Sequence, residues 1–166
     1  YVLTNATLLV LMASLHGVAF QFLYPEQPEV NERVTLISSA LITLFFSLFA
    51  RTFLGIDERM RVANWLFRGL VYASSVNVIG SVFLSYDVST RASVALAVLV
   101  SLAMLSVGLV MAAKGDRAAR YFMAAWILML VGVMVWLANL IGLLPASFWT
   151  QHGIEIGAVS QALLLT

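Results

Sequence analysis

The side chains able to do chemistry in this apolar chain gather most densely between Gln151 and Gln161. The run contains Gln151, His152, Glu155, Ser160 and Gln161. A carboxylate among so many apolar neighbours is costly and marks a candidate site by default. Gln151 and Glu155 are four residues apart on one helical face, and His152 precedes Glu155 by one turn. Together they could form an outward-facing proton or cation site, a candidate ligand or coupling site that Gln161 extends. A plainer alternative stands beside it: Glu155 lies within two turns of the outer membrane interface and reaches water or a polar group on a neighbouring helix. The same stretch carries Gly153 and Gly157 four residues apart, with Gln161 one turn further along that stripe. Small residues at this spacing let two helix backbones approach, and a glutamine can hydrogen-bond across such a contact. The stripe serves either packing within one bundle or a dimer contact.

Other polar positions are isolated. His16 reads as a packed histidine. Asn77 and Asn139 read as interhelical hydrogen-bonding groups. Asn64, Arg68 and Tyr72 recur every four residues, as a membrane anchor or a lipid-headgroup contact would, with Arg68 long enough to snorkel to the interface. Met104, Met111, Met123, Met129 and Met134 read as adaptable filler.

Several chemistries lack their residues. There is no cysteine, so thiolate metal sites and disulfides are excluded. No lysine falls inside a span where a retinal Schiff base would need it, and no pair of histidines faces across the helices for haem. Metalloprotease, serine-hydrolase and phosphate-loop motifs are missing. No catalytic, cofactor-binding or metal-ligating residue is therefore assigned, no cofactor is expected, and no nucleic-acid partner is implied.

The elements that must hold these residues are membrane helices. The sequence is 62% hydrophobic and 10% charged, against about 25% charged in an ordinary soluble domain, too few charges to cover a globular surface. The stretch from Lys114 to Pro145 shows the design. Gly115 suits a helix end and Asp116 the next helix start, and no charge then appears from Tyr121 to Leu144. About 20 apolar residues span a bilayer core. Similar runs give an all-α polytopic transmembrane bundle with six spans, near residues 2–23, 34–56, 60–84, 89–113, 117–144 and 147–166. Asn31 is the expected cap of the second and Asp57 of the third, and residues 1–166 are read as a single bundle. Beginning at Tyr1 and stopping within an apolar helix, the chain reads as the ordered part of a longer polypeptide.

Charge sets the expected orientation. Arg51, Arg59, Arg61 and Arg68 flank one connection, and Lys114, Arg117 and Arg120 flank another. These are seven of the nine basic residues, and the positive-inside rule assigns them to the cytoplasmic face as anchors. Tyr1 and Thr166 then also lie at that face. Tyr24, Tyr86, Phe148 and Trp149 mark the outer interface, and Trp65, Tyr121 and Trp126 the inner one.

Three blocks carry a family resemblance. The first is FQFLYPEQPEVNERV. The second is LFFSLFARTFLGI, with Ala50, Arg51, Phe53 and Leu54 in an Ala-Arg-x-Phe-Leu pattern. The third runs from Gly115 to Leu165 and includes Ala119 to Phe122, Trp126, Gly142 to Pro145, and Ile156 with Gly157. The chain resembles the 7TMR-DISM family, bacterial seven-transmembrane receptors with diverse intracellular signalling modules, over its second to seventh spans. Segments near 60–84 and 89–113 match in hydropathy alone. Gln161 stands where the family often has a glutamate. The resemblance implies a bacterial inner-membrane receptor module, six spans of seven, without catalysis of its own. It also implies an outer-side sensory domain with an unknown small ligand and a cytoplasmic output domain in the same chain, such as a histidine kinase or diguanylate cyclase. Outputs of that kind imply two-component or cyclic-nucleotide signalling and a homodimer. The rivals are a small proton- or ion-coupled transporter, motivated by Glu155, Gln151 and His152, and a structural subunit of a membrane complex.

Overall fold

The protein is described by a computed structural model that covers residues 2–56 and 60–165, with side chains assigned except at 140 and 163–165. The cap expected at Asp57, the anchor Arg59 and the two end residues, Tyr1 and Thr166, lie outside the described residues. All regular structure among the described residues is helical: α1 (Val2–Leu15), α2 (Val18–Phe22), α3 (Pro28–Phe53), α4 (Arg61–Phe83), α5 (Tyr86–Ala113), α6 (Arg117–Leu140), α7 (Phe148–Gln151) and α8 (Gly153–Leu165).

Among the described residues four helices, not six, are long and apolar enough to cross a membrane: α3, α4, α5 and α6, the last over Arg117–Asn139. The chain is a multi-pass membrane protein with an all-α bundle. The expectation of six spans fails at the first and last segments, for local backbone reasons. Near the start, Gly17 adopts a left-handed φ of 72°, which a glycine tolerates without steric penalty. It ends α1 at 14 residues, about 21 Å at 1.5 Å per residue, short of the roughly 30 Å core. Near the end, His152 separates the four-residue α7 from α8, which leaves 13 residues of α8 up to the last described residue, Leu165.

Helix boundaries follow local chemistry. α3 begins earlier than hydropathy suggested, because Pro28 occupies its first turn, where the missing N–H and fixed φ cost nothing. Asn31 consequently lies inside the helix and does not cap it. Between α5 and α6 the expected signals act as read. Gly115 takes φ 94°, the Asp116 N–H donates back to the Met111 carbonyl, and Asp116 Oδ1 accepts from the Ala118 N–H at 2.9 Å. That closes one helix and caps the next.

The chain forms two compact units, residues 1–104 and 105–166. In the first, α3 buries Leu36, Ala40, Thr43, Ser47 and Ala50, and α4 buries Phe67, Leu70, Ser74, Asn77 and Ser81. Both stripes alternate three- and four-residue steps, the spacing of a coiled-coil seam. Small residues dominate, as close packing between membrane helices requires. The pair runs antiparallel: Arg33, near the start of α3, donates from Nη1 to the carbonyl oxygens of Ser81 and Leu84 at the end of α4, at 3.4 and 3.1 Å. A guanidinium there satisfies carbonyls that have no helical partner and complements the negative end of the helix dipole. Asn77 Nδ2 donates to Ser93 Oγ at 2.9 Å, joining α4 to α5.

In the second unit α6 buries Ala119, Phe122, Ala125, Trp126 and Met129. Phe122 and Trp126 stack with ring centroids 6.3 Å apart. Trp126, read as an interfacial residue, is therefore in the core, whereas Tyr121 is exposed. Asn139 does not bridge helices; its Nδ2 donates to the Leu144 carbonyl in the turn that follows.

Candidate functional site

The last helix is seated on α6 by contact of backbone with backbone. A Cβ added to Gly132 of α6 would fall on the carbonyl oxygen of Gly153, and one added to Gly153 would fall on that of Gly132. A Cβ on Gly157 would lie 3.1 to 3.2 Å from the Met129 backbone and the Leu128 carbonyl oxygen. Because Gly153 faces Gly132 while Gly157 faces Met129, the two helices run antiparallel. Gln161 continues the stripe and is 6% exposed. Among the described residues this is the most extensive helix-to-helix contact. The stripe read from Gly153, Gly157 and Gln161 thus faces α6 of the same chain.

Gly132, its counterpart, was missed in the sequence. The available signal was a lone glycine in an otherwise continuous apolar helix, a position that weakens a helix unless something needs the space.

The polar candidates fall at three successive places in the chain. Gln151 ends α7 and is exposed, His152 occupies the turn between helices, and Glu155 is half-buried in the first turn of α8. The His152 ring lies over Phe148 with centroids 4.6 Å apart, and its Nδ1 is 3.0 Å from the Phe148 carbonyl oxygen. That fixes the imidazole to its own turn. Ser147 and Thr150 form a capping box at the start of α7, so the approach to α8 is locally rigid. Glu155 and Gly157 are two residues apart, about 200° around the helix, which separates the carboxylate from the glycine seat.

The basic residues group by unit. Arg51, in the last turn of α3, is half-buried beside Gly55 and Ile56. Arg61, Trp65, Arg68 and Tyr72 are exposed along the first half of α4, whereas Asn64 is buried. The grouping of Asn64 with Arg68 and Tyr72 therefore separates: a four-residue step advances about 40° around the helix beyond a full turn, enough to carry Asn64 inward. In the second unit Lys114, Arg117 and Arg120 are exposed around the α5–α6 turn. Arg120 Nε donates to the Ala112 carbonyl oxygen at 3.4 Å, adding a cation at the end of α5.

Among the described residues, no group of three or more metal-binding side chains comes together. The contacts that the structure does build are those of helix on helix and of cation on helix end. The chain belongs to the 7TM diverse intracellular signalling family, whose model matches residues 1–166. No curated protein and no solved structure was found to match it.

Proposed function

We propose that this chain is the signal-transducing membrane module of a bacterial inner-membrane receptor, relaying an outer-side event through α8 to a cytoplasmic effector. The observation that carries this reading is the glycine seat of α8 on α6. Where two backbones touch with no side chain between them, a small rotation or slide of one helix meets immediate steric resistance. Such a contact favours discrete arrangements over continuous drift. A signal can then bias the seat only by interacting unequally with its arrangements.

On this reading the four membrane-length helices α3 to α6 take the third to sixth positions of the family pattern. The basic residues Arg51, Arg59, Arg61, Arg68, Lys114, Arg117 and Arg120 mark the cytoplasmic face. Effectors that work as pairs favour a homodimer, and an outer sensory domain with a small ligand would supply the input. Glu155, Gln151 and His152 sit where α8 begins and would tune its position; they are not assigned a transport role.

The test is signalling by the full-length receptor carrying Gly153→Leu or Gly157→Leu, with folding and membrane level checked. The reading expects output that no longer responds to stimulus in either variant. Unchanged, stimulus-dependent output in both would remove α8 from the relay.

A further inference from the structure

The arginines that lie more than a turn inside the membrane-length helices are not treated alike. Arg33 stands five residues after the start of α3 at Pro28, and Arg91 five after the start of α5 at Tyr86. Both are engaged: Arg33 donates to carbonyls at the end of α4, and Arg91 pairs with Asp87 at 3.1 Å. Arg68 lies deeper, seven residues after Arg61 at the start of α4. It is exposed and makes no hydrogen bond or ion pair among the described residues. No acidic residue occurs anywhere in α4.

Depth and direction give that cation its surroundings. At 1.5 Å per residue α4 is about 34 Å long, against a hydrocarbon core of about 30 Å. Centred on the core, it sets the Arg68 backbone about 8 Å below the polar boundary. A charge at that depth is costly unless it reaches the interface or meets a partner. The Cα–Cβ bond of a helical residue tilts toward the helix start, so Arg68 reaches back toward Trp65 and Arg61. At 100° per residue Arg61, Trp65, Arg68 and Tyr72 fall within an arc of about 60°, and all four are exposed. Asn64, on the neighbouring face, is buried and takes no part. Past Tyr72 the stripe continues through Val76 and Ile79, both exposed. Arg68 to Ile79 spans about 16 Å, close to the hydrocarbon depth of one leaflet. Along the helix the surface therefore runs from two cations flanking an indole, through a phenol, to an apolar track.

We infer that this face of α4 holds one anionic glycerophospholipid from the leaflet at the start of the helix. Its phosphate sits between Arg61 and Arg68, its glycerol esters lie against Trp65 and Tyr72, and one acyl chain follows Val76 and Ile79. A guanidinium and a phosphate oxygen make the strong, charge-assisted kind of hydrogen bond, which supplies the partner that the protein withholds from Arg68. Charge also decides the class of lipid. Two cations on a helix without a carboxylate match a headgroup of net negative charge, whereas the ammonium of a zwitterionic lipid would be brought against Arg61 with nothing to accept it. The inference rests neither on the relay through α8 nor on which membrane face is cytoplasmic, because binding is read without output or orientation.

The probe is phosphatidylglycerol, supplied as a minor component of phosphatidylcholine nanodiscs that hold the full-length protein. Native mass spectrometry of the protein released from the discs counts the lipids it retains. One phosphatidylglycerol per protomer is expected, kept in preference to the more abundant phosphatidylcholine. Arg68→Gln should weaken that retention about tenfold. Arg68→Lys, which keeps a cation at the site, should hold most of it, and Arg117→Gln, the same change at an exposed arginine of α6, should leave it unaltered. Unfolding curves confirm that each variant is folded. Retention of both lipids in proportion to their abundance would overturn the inference. So would equal losses in Arg68→Gln and Arg117→Gln, which indicate general attraction to basic residues, or equal losses in Arg68→Gln and Arg68→Lys, which indicate that the charge is not what binds. Displacement of the lipid by excess glycerol phosphate would overturn it in favour of a free anion.

Discussion

Replacing Gly132 by alanine adds one methyl group where there is no room for it. The added Cβ would fall on the Gly153 carbonyl oxygen and within 3.1 Å of the Gly157 Cα. Both are backbone atoms, so no side chain can rotate away; the helices must separate or shift. Overpacking of this kind costs about 1–3 kcal/mol, and backbone obstruction places it at the upper end. Alanine gains about 1 kcal/mol in helix propensity over glycine, leaving a net loss of about 2 kcal/mol. Gly69 in α4 is the internal control: it is exposed, and a Cβ there meets nothing within 4 Å. The same substitution at Gly69 should therefore stabilise by up to about 1 kcal/mol. The two variants should differ by about 3 kcal/mol, roughly 100-fold in the unfolding equilibrium. Reversible unfolding in mixed micelles, followed by tryptophan fluorescence, measures the difference directly. Equal stabilisation of both variants would refute the backbone contact between α6 and α8.

Two further substitutions probe the first unit. Arg33→Gln should destabilise the α3–α4 pair by about 1 kcal/mol, with hydrogen exchange accelerated at the last turn of α4 and not at its start. Asn77→Ala should cost about 0.6 kcal/mol, the average for a hydrogen bond between membrane helices. A double-mutant cycle with Ser93→Ala should return most of that value as coupling.

How much of this was legible in the sequence depends on whether a signal was local. The α5–α6 turn was readable because Gly115 and Asp116 act on backbone groups within a few residues of themselves. Pro28 was equally local but was passed over, because the polar run around it looked like a loop. The six-span count failed because a window of hydropathy does not register a single φ. Gly17 and the turn at His152 interrupt runs whose composition would otherwise serve. The seat of α8 was half visible. Gly153 and Gly157 announced a close approach, but the identity of the surface they approach is a tertiary fact, and Gly132 lies 21 residues away from Gly153. Asn77 and Asn139 carried the same expectation, and only Asn77 lies in mid-helix opposite a hydroxyl. Arg33 carries no local sign of its role, since nothing in its own segment reveals the carbonyls of α4.

The seat can be watched while signalling is recorded, because residues 1–166 contain no cysteine and take paired spin labels once any cysteine elsewhere in the receptor is replaced. Met134→Cys on α6 and Val159→Cys on α8 are suitable sites, 64% and 59% exposed. The decisive measurement is the distance distribution between these labels, taken alongside effector output, in the otherwise native receptor and with Gly157→Leu added. The account predicts that Gly157→Leu displaces the distribution and that stimulus-dependent output is lost with it. A displaced distribution with normal output would contradict the relay through α8.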